Sequence, residues 1–333
     1  MKVLFVGGTG NISYGVCQIA LERGMELYIL NRGNSTSRVH PGTHVLIADY
    51  NDEQAVKKAL EGYEFDTVVD FRVFNAAQLE KAVRIFKGIT KQYIFISSGT
   101  VYRKPLEHYL ITEDMPLGNL HSHYARNKLA AENALRRAIG EGFPGVIVRP
   151  SLTYSDFNPL TALNSRKNPY SLIQRMRRGK PIIVHGDGTS LWTITHDTDF
   201  GRGIVGLFGN PDTIGEAFHI TSDEVLDWNR IYTELAHAAG VEANLIHIAS
   251  DFIGDCDPSL RESLLGDHAC SAVFDNSKIK RFVPDFHCEI PFREGARRIV
   301  EWFDADPAVR ETVEPEWDEK MDAIIAKYRG WPL

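Results

Sequence analysis

The sequence predicts an α/β fold: a doubly wound, mainly parallel sheet followed by a smaller α+β lobe. Three observations predict it. Short β-branched runs alternate with helical patterns over the first half of the chain, a glycine-rich turn directly follows the first run, and this rhythm ends after Pro150. Strand–helix alternation buries both faces of a sheet under helices, which is the layer arrangement of parallel α/β domains.

The expected strands, in order, are Lys2–Val6, Glu26–Leu30, His44–Ile47, Thr67–Val69, Tyr93–Ile96 and Gly145–Val148. Each is too short for a helix and rich in Val, Ile, Leu or aromatic residues. Between them, Tyr14–Arg23 reads as a helix. Ala76, Leu79, Val83 and Phe86 make an apolar stripe at three and four spacing, and Ala131, Ala134, Leu135 and Ala138 make another. Ser155–Pro169, rich in Asn, Ser and Pro, reads either as an active-site loop or as a linker. The expected division is a dinucleotide-binding domain over 1–165, with a helix near 197–209 packing back on it, and a mainly substrate-binding lobe over 166–333.

Bulk properties narrow the class. With 333 residues, 43% of them hydrophobic, the chain can bury a large core. A net charge of −7 speaks against nucleic acid as the principal partner. No apolar run approaches the roughly 20 residues of a membrane-spanning helix, so no membrane partner is expected. Cys17, Cys256, Cys270 and Cys288 show no CxxC spacing and, without a secretory signal, read as buried free thiols in a cytoplasmic protein.

The first strand runs into Gly7-Gly8-Thr9-Gly10-Asn11-Ile12-Ser13 and then a helix. A strand, a tight glycine turn and a helix start aim backbone N–H groups and a helix dipole at a pyrophosphate. Gly8 and Gly10 take the first two positions of GxGxxG, and Ser13 stands where a third glycine or alanine usually lets helix and strand approach. After the second strand comes Leu30-Asn31-Arg32-Gly33, with no carboxylate for a ribose 2′-hydroxyl and an arginine suited to a 2′-phosphate; Arg38 follows. NADP(H) is therefore favoured over NAD(H). The candidate cofactor contacts are Gly7, Gly8, Thr9, Gly10, Asn11, Ile12, Asn31, Arg32, Asp49, Tyr50, Phe71 and Ser97, together with Tyr124 and Lys128. Asp49, at the end of the third strand, is a cap or an adenine contact.

Tyr124-Ala125-Arg126-Asn127-Lys128 is the single Tyr-x-x-x-Lys of the chain. On a helix the phenol and the ammonium share a face. A nearby cation stabilises a phenolate, so the tyrosine can exchange a proton with an alcohol or ketone while hydride moves to or from a nicotinamide. The strand Tyr93–Ile96 delivers Ser97-Ser98-Gly99-Thr100-Val101-Tyr102 at the edge where open α/β sheets place ligands.

These residues resemble the extended short-chain dehydrogenase/reductase family, in its NAD-dependent epimerase/dehydratase branch. The likeness spans Val6–Ser13, Ile96–Tyr102, Tyr124–Lys128, Val148-Arg149-Pro150, Gly186–Thr189, His196–Asp199, Asp275–Lys278 and Glu294–Trp302. It implies a Rossmann domain, a C-terminal substrate lobe and a catalytic triad of Ser98, Tyr124 and Lys128. Many members act on nucleoside-diphosphate sugars, and the branch often pairs through the helix carrying Tyr-x-x-x-Lys, so the resemblance allows a homodimer. Three departures bear on the reaction. Gly99 and Thr100 replace the Asp-Glu pair of sugar 4,6-dehydratases, which speaks against water elimination. Leu191-Trp192-Thr193 lacks the arginine that often meets a substrate phosphate, and Arg103 replaces a glycine of the serine loop.

The leading expectation is an NAD(P)-dependent oxidoreductase or epimerase acting on a secondary alcohol or ketone carbon of a carbohydrate-like, sugar or nucleotide-sugar substrate. Alternatives are an NADPH-dependent carbonyl reductase of a non-nucleotide substrate and an RNA-binding or regulatory relative without turnover. Thr100, His123 and Trp192 are the candidate substrate contacts, Trp192 as a stacking surface or else as a core residue. His121 and His123 have no Cys, Asp or Glu at ligand spacing beside them, so no metal site is read.

Overall fold

The computed structural model describes residues 1–34, 38–159 and 161–330. Its centre is a seven-stranded parallel sheet. The strands are β1 (Lys2–Val6), β2 (Glu26–Asn31), β3 (His44–Ile47), β4 (Thr67–Asp70), β5 (Tyr93–Ile96), β6 (Gly145–Pro150) and β7 (Ala217–Ile220). Their spatial order is β7-β6-β5-β4-β1-β2-β3. The order reverses at β1, between β4 and β2, and that reversal opens the crevice in which doubly wound sheets take ligands. Six strands lie where the β-branched runs predict them. The seventh is unexpected: β7 enters from residues 217–220 and pairs beside β6, Phe218 opposite Val148.

Two apolar layers cover the sheet. On one face Val3, Phe5, Val69, Ile94 and Val148 pack against Val16 and Ile19 of α1 (Asn11–Glu22) and against Phe200 and Ile204 of the helix Asp197–Gly206. On the other face Leu4, Val68, Phe95 and Ile147 meet Leu79 and Phe86 of α2 (Ala76–Phe86) and Ala131 and Leu135 of α3 (His123–Gly140). The alternation of neighbouring residues between the two layers is the period of a strand buried on both sides. Helix 197–206 lies alongside α1, so the chain after residue 165 returns to the first layer twice, as this helix and as β7.

A third core, built around Tyr154, Ile173, Trp192, Trp228, Tyr232, Phe292 and Ile299, holds the second lobe together. Residues 155–159 and 161–169 contain no helix or extended strand. All four cysteines are free, and Cys17 is buried. Among the described residues no helix is long and apolar enough to cross a membrane.

Candidate active site and cofactor turn

The turn after β1 is shaped by what glycine permits. Gly7 and Gly8 have φ of +115° and +90°, in the left-handed region that side chains avoid. A Cβ on Gly8 would stand 2.6 Å from Ile29 Cγ2 of β2, so only glycine lets the turn pass this close. Gly10 is the N-cap of α1 and has no side chain to cap it. Backbone N–H groups of the first turn are thereby left for an incoming acceptor. The turn fits a dinucleotide pyrophosphate on these grounds.

Ser13 does not play the close-packing part of a third glycine. It is buried, and its Oγ accepts from the Gly10 N–H at 2.9 Å, bracing the turn. The close approach falls two residues later. A Cβ on Gly15 would stand 2.6 Å from the backbone carbon of Asp197, and the Gly15 N–H donates to the Asp197 carboxylate at 2.9 Å. Asn11 also works through its side chain: Nδ2 donates to the Thr153 carbonyl at 2.7 Å and Oδ1 accepts from Ser155.

Around the turn, Thr9 and Ile12 are half-buried. Phe71 packs edge-on to Phe5 with ring centres 5.8 Å apart. Asn31 Oδ1 accepts from the Gly33 N–H at 2.8 Å, which closes the turn after β2. Arg32 is exposed and makes no side-chain hydrogen bond or ion pair among the described residues. The Arg38 guanidinium lies 4.3 Å from the Phe157 ring centre. Asp49 is exposed and caps its own turn by accepting from Asn51. The Tyr50 hydroxyl donates to the Asp70 carboxylate, to which Tyr93 also donates at 2.9 Å. Arg72, absent from the sequence-based candidates, runs its stem beside Gly7.

Ser98, Tyr124 and Lys128 come together at the C-terminal edge of β5. Ser98 caps the short helical turn Gly99–Val101, and its Oγ accepts from the Thr100 N–H at 3.2 Å and hydroxyl at 2.9 Å. Tyr124 is the second residue of α3, whose start is capped by Ser122. Tyr124 is 42% exposed, yet desolvation around its hydroxyl pushes the phenol up to about 12; the neighbouring Ser98 side chain opposes that shift and the charge of Asp267 adds to it. Lys128 is buried, its Nζ donating to the Val73 and Ile96 carbonyls at 2.7 and 2.8 Å. That ammonium lies 5.8 Å from the Tyr124 ring centre. Burial pushes Lys128 down to about 7, against the opposing charges of Asp70 and Glu132.

The remaining candidates occupy different surroundings. Ser97 donates to Glu132 at 2.6 Å, below the surface. His123 is exposed, and its Nδ1 lies 3.3 Å from Asn127 Nδ2. Trp192 is only 3% exposed, and its indole N–H donates to the His268 carbonyl at 3.2 Å. It is a core residue of the second lobe, so the stacking surface expected of it is not offered.

Sequence reasoning missed the support beneath the triad. Glu132 and Arg149 form a fully buried, two-pronged ion pair with bonds of 2.9 and 2.7 Å. Arg149 continues to Tyr102 at 2.8 Å, and Tyr102 meets His219 of β7. A signal was present: Arg149 is a charge directly after the apolar run Val146–Val148, in a strand buried along its whole length, and Glu132 lies four residues beyond Lys128 on the buried face of α3.

A family model described as the NAD dependent epimerase/dehydratase family matches residues 3–221. The 2'-dehydrokanamycin reductase of Streptomyces kanamyceticus is 23% identical over 302 residues, covering 90% of this chain and 83% of that protein. The Chloroplast stem-loop binding protein of 41 kDa b of Arabidopsis thaliana is 26% identical over 74% of this chain and 65% of its own length. Among solved structures, UDP-Glucuronic acid 4-epimerase from Bacillus cereus in complex with NAD superposes with a TM-score of 0.72 at 20% identity, covering 92% of this chain and 99% of that one.

Proposed function

The chain belongs to the NAD dependent epimerase/dehydratase family, and from that premise we propose that it reduces a ketone on a carbohydrate-like ring to a secondary alcohol, using NADPH. The observation that carries this reading is the convergence of Ser98, Tyr124 and Lys128 beside a glycine turn fitted to a dinucleotide. Net reduction is preferred to epimerisation for two reasons. No acid follows β2, where Arg32 stands, and the similarity to 2'-dehydrokanamycin reductase runs along 90% of the chain. Gly99 and Thr100 in place of an acidic pair argue against a 4,6-dehydratase.

Gly7, Gly8, Gly10 and the first turn of α1 would hold the pyrophosphate, with Arg32 and Arg38 near the adenosine ribose. When bound, the nicotinamide supplies the hydride. Ser98 Oγ holds the substrate oxygen by a hydrogen bond. Tyr124 gives its phenolic proton to that oxygen as the carbonyl carbon becomes an alcohol carbon, and solvent returns the proton. Lys128, pinned by two carbonyls, sets in its protonated form a positive field that lowers the cost of the phenolate.

The test is NADPH consumption on keto-sugars by wild-type protein and Tyr124→Phe. Loss of the acid should lower turnover about 10²–10⁴-fold while NADPH affinity stays within about twofold. Near-normal turnover in the variant removes the mechanism. The stem-loop binding relative favours a second reading, an RNA binder. Retention of an RNA hairpin at moderate salt, together with no reduction of any ketone offered, would establish that reading instead.

A further inference from the structure

The elbow between β4 and α2 carries an aromatic ring to the catalytic lysine. Its backbone is held on both sides of Phe74: the Val73 carbonyl accepts from Lys128 Nζ at 2.7 Å, and the Phe74 N–H donates to Gln78 Oε1 at 2.7 Å. Asn75 then caps α2, its Oδ1 accepting from the Gln78 N–H at 3.0 Å. With the elbow fixed, the Phe74 ring lies over the Lys128 ammonium, its centre 4.6 Å from Nζ. The ring centres of Phe95 and Tyr124 stand 5.1 and 5.8 Å from the same atom.

Core packing does not account for this ring. Phe95 is fully buried in the layer under α2 and α3. Phe74 is 40% exposed and, among the described residues, joins none of the three apolar cores. Two cations share it instead: Lys128, and the Arg72 guanidinium at 6.0 Å from its centre. An ammonium has three N–H donors. The Val73 and Ile96 carbonyls accept from Lys128, and the rest of its surroundings is aromatic. Lys128 is 3% exposed, so water restores little of the hydration lost on burial. The negative face of a ring attracts a cation, and more strongly where water is excluded. An aliphatic side chain of similar size would cover the ammonium without that attraction.

We propose that Phe74 is a positioning residue for Lys128: its ring face holds the ammonium, as a charge, beside the Tyr124 phenol. The use of that charge in proton transfer rests on the ketone-reductase reading; the hold itself does not. The titratable groups facing Lys128 are Asp70 from β4 and Glu132 and Tyr124 from its own helix, while β5 presents the Phe95 ring and the Ile96 carbonyl. Asp70 accepts from Tyr50, Tyr93 and the Arg72 N–H, and Glu132 from Ser97 and Arg149. Phe74 is thus the contact of Lys128 that can be changed without disturbing a buried carboxylate. Its two effects on the lysine differ in sign. Cover disfavours the charge, and the ring face favours it.

The test is an NMR pH titration of the intact chain with 13C-labelled lysine side chains, without nucleotide, the Lys128 signal being identified by its loss in Lys128→Met. Phe74→Leu keeps an apolar cover and removes the ring face, so the Lys128 midpoint should fall by about 0.5 pH units or more. A loosened cover admits water and moves the midpoint upward, so a fall reads the ring itself. Phe74→Tyr retains the ring face and should stay within about 0.3 units of wild type. A smaller fall in Phe74→Leu, no change or a rise overturns the proposal, and so does an equal fall in Phe74→Tyr. In NADPH consumption, Phe74→Leu should be about threefold or more below wild type at about pH 8 and within about twofold of it at about pH 5.5. Equal losses at both pH values also overturn it. The titration needs no turnover, and the Tyr124→Phe test leaves Phe74 in place, so either reading can fail without the other.

Discussion

Replacing Glu132 by Gln tests the support beneath the triad most directly. Glu132 and Arg149 are both fully buried, and each carboxylate oxygen of Glu132 takes one guanidinium bond. Ser97 adds a third bond to the same carboxylate. The variant keeps the shape but leaves the guanidinium charge without its counter-charge in a site that water cannot reach. Breaking a buried pair in this way costs about 3–5 kcal/mol. Unfolding entropy of about 2.1 cal/mol/K per residue over 333 residues gives about 0.7 kcal/mol/K. The expected fall in Tm is therefore about 4–7 °C. Turnover should fall too, because Ser97 adjoins Ser98. Removing the pair together, as Glu132→Leu with Arg149→Met, exchanges two buried ions for apolar volume and should restore at least about 2 kcal/mol of the loss. Differential scanning calorimetry at one pH measures all three proteins. A Glu132→Gln variant within about 1 °C of wild type, or a double variant no more stable than Glu132→Gln, would refute the reasoning.

Other consequences follow from the same geometry. Gly15→Ala forces a methyl against the backbone of Asp197, which cannot swing aside as a side-chain end would; we expect about 1–3 kcal/mol of destabilisation and weaker NADPH binding, read by calorimetry and fluorescence titration. Lys128 titrates near 7 in the folded chain and at its ordinary, higher value when unfolded, so between those values the unfolded chain binds more protons and stability from this residue rises with pH. The unfolding free energy of wild type relative to Lys128→Met should thus increase by about 2–3 kcal/mol between pH 7 and 9.5 in urea titrations, and a flat difference would contradict it. Arg32→Ala should weaken NADPH binding about tenfold or more and leave NADH binding nearly unchanged; equal losses for both cofactors would remove the proposed preference.

Much of this molecule is legible in one dimension, because its signals are local. Six strands of the sheet declare themselves as short β-branched runs. The glycine turn announces itself because positive φ at Gly7 and Gly8 leaves no other choice. Tyr124 and Lys128 share a helical face by spacing alone, and Ser98 ends a strand at the ligand edge of the sheet. The strand Ala217–Ile220 is missed because it lies far along the chain in irregular surroundings and is defined by its pairing with β6, not by its own pattern.

What only the tertiary structure decided are the contacts between residues distant in sequence. The place where α1 needs a glycine is fixed by Asp197, and it falls at Gly15 because that is where the two helices cross. Trp192 is a core residue because Trp228 and the His268 carbonyl enclose it. Arg149 can be buried with its charge only because α3 carries Glu132 over β6. Local backbone preference is written in neighbouring residues, whereas burial, counter-charge and steric limit depend on which distant side chain arrives, and that is set when the layers pack.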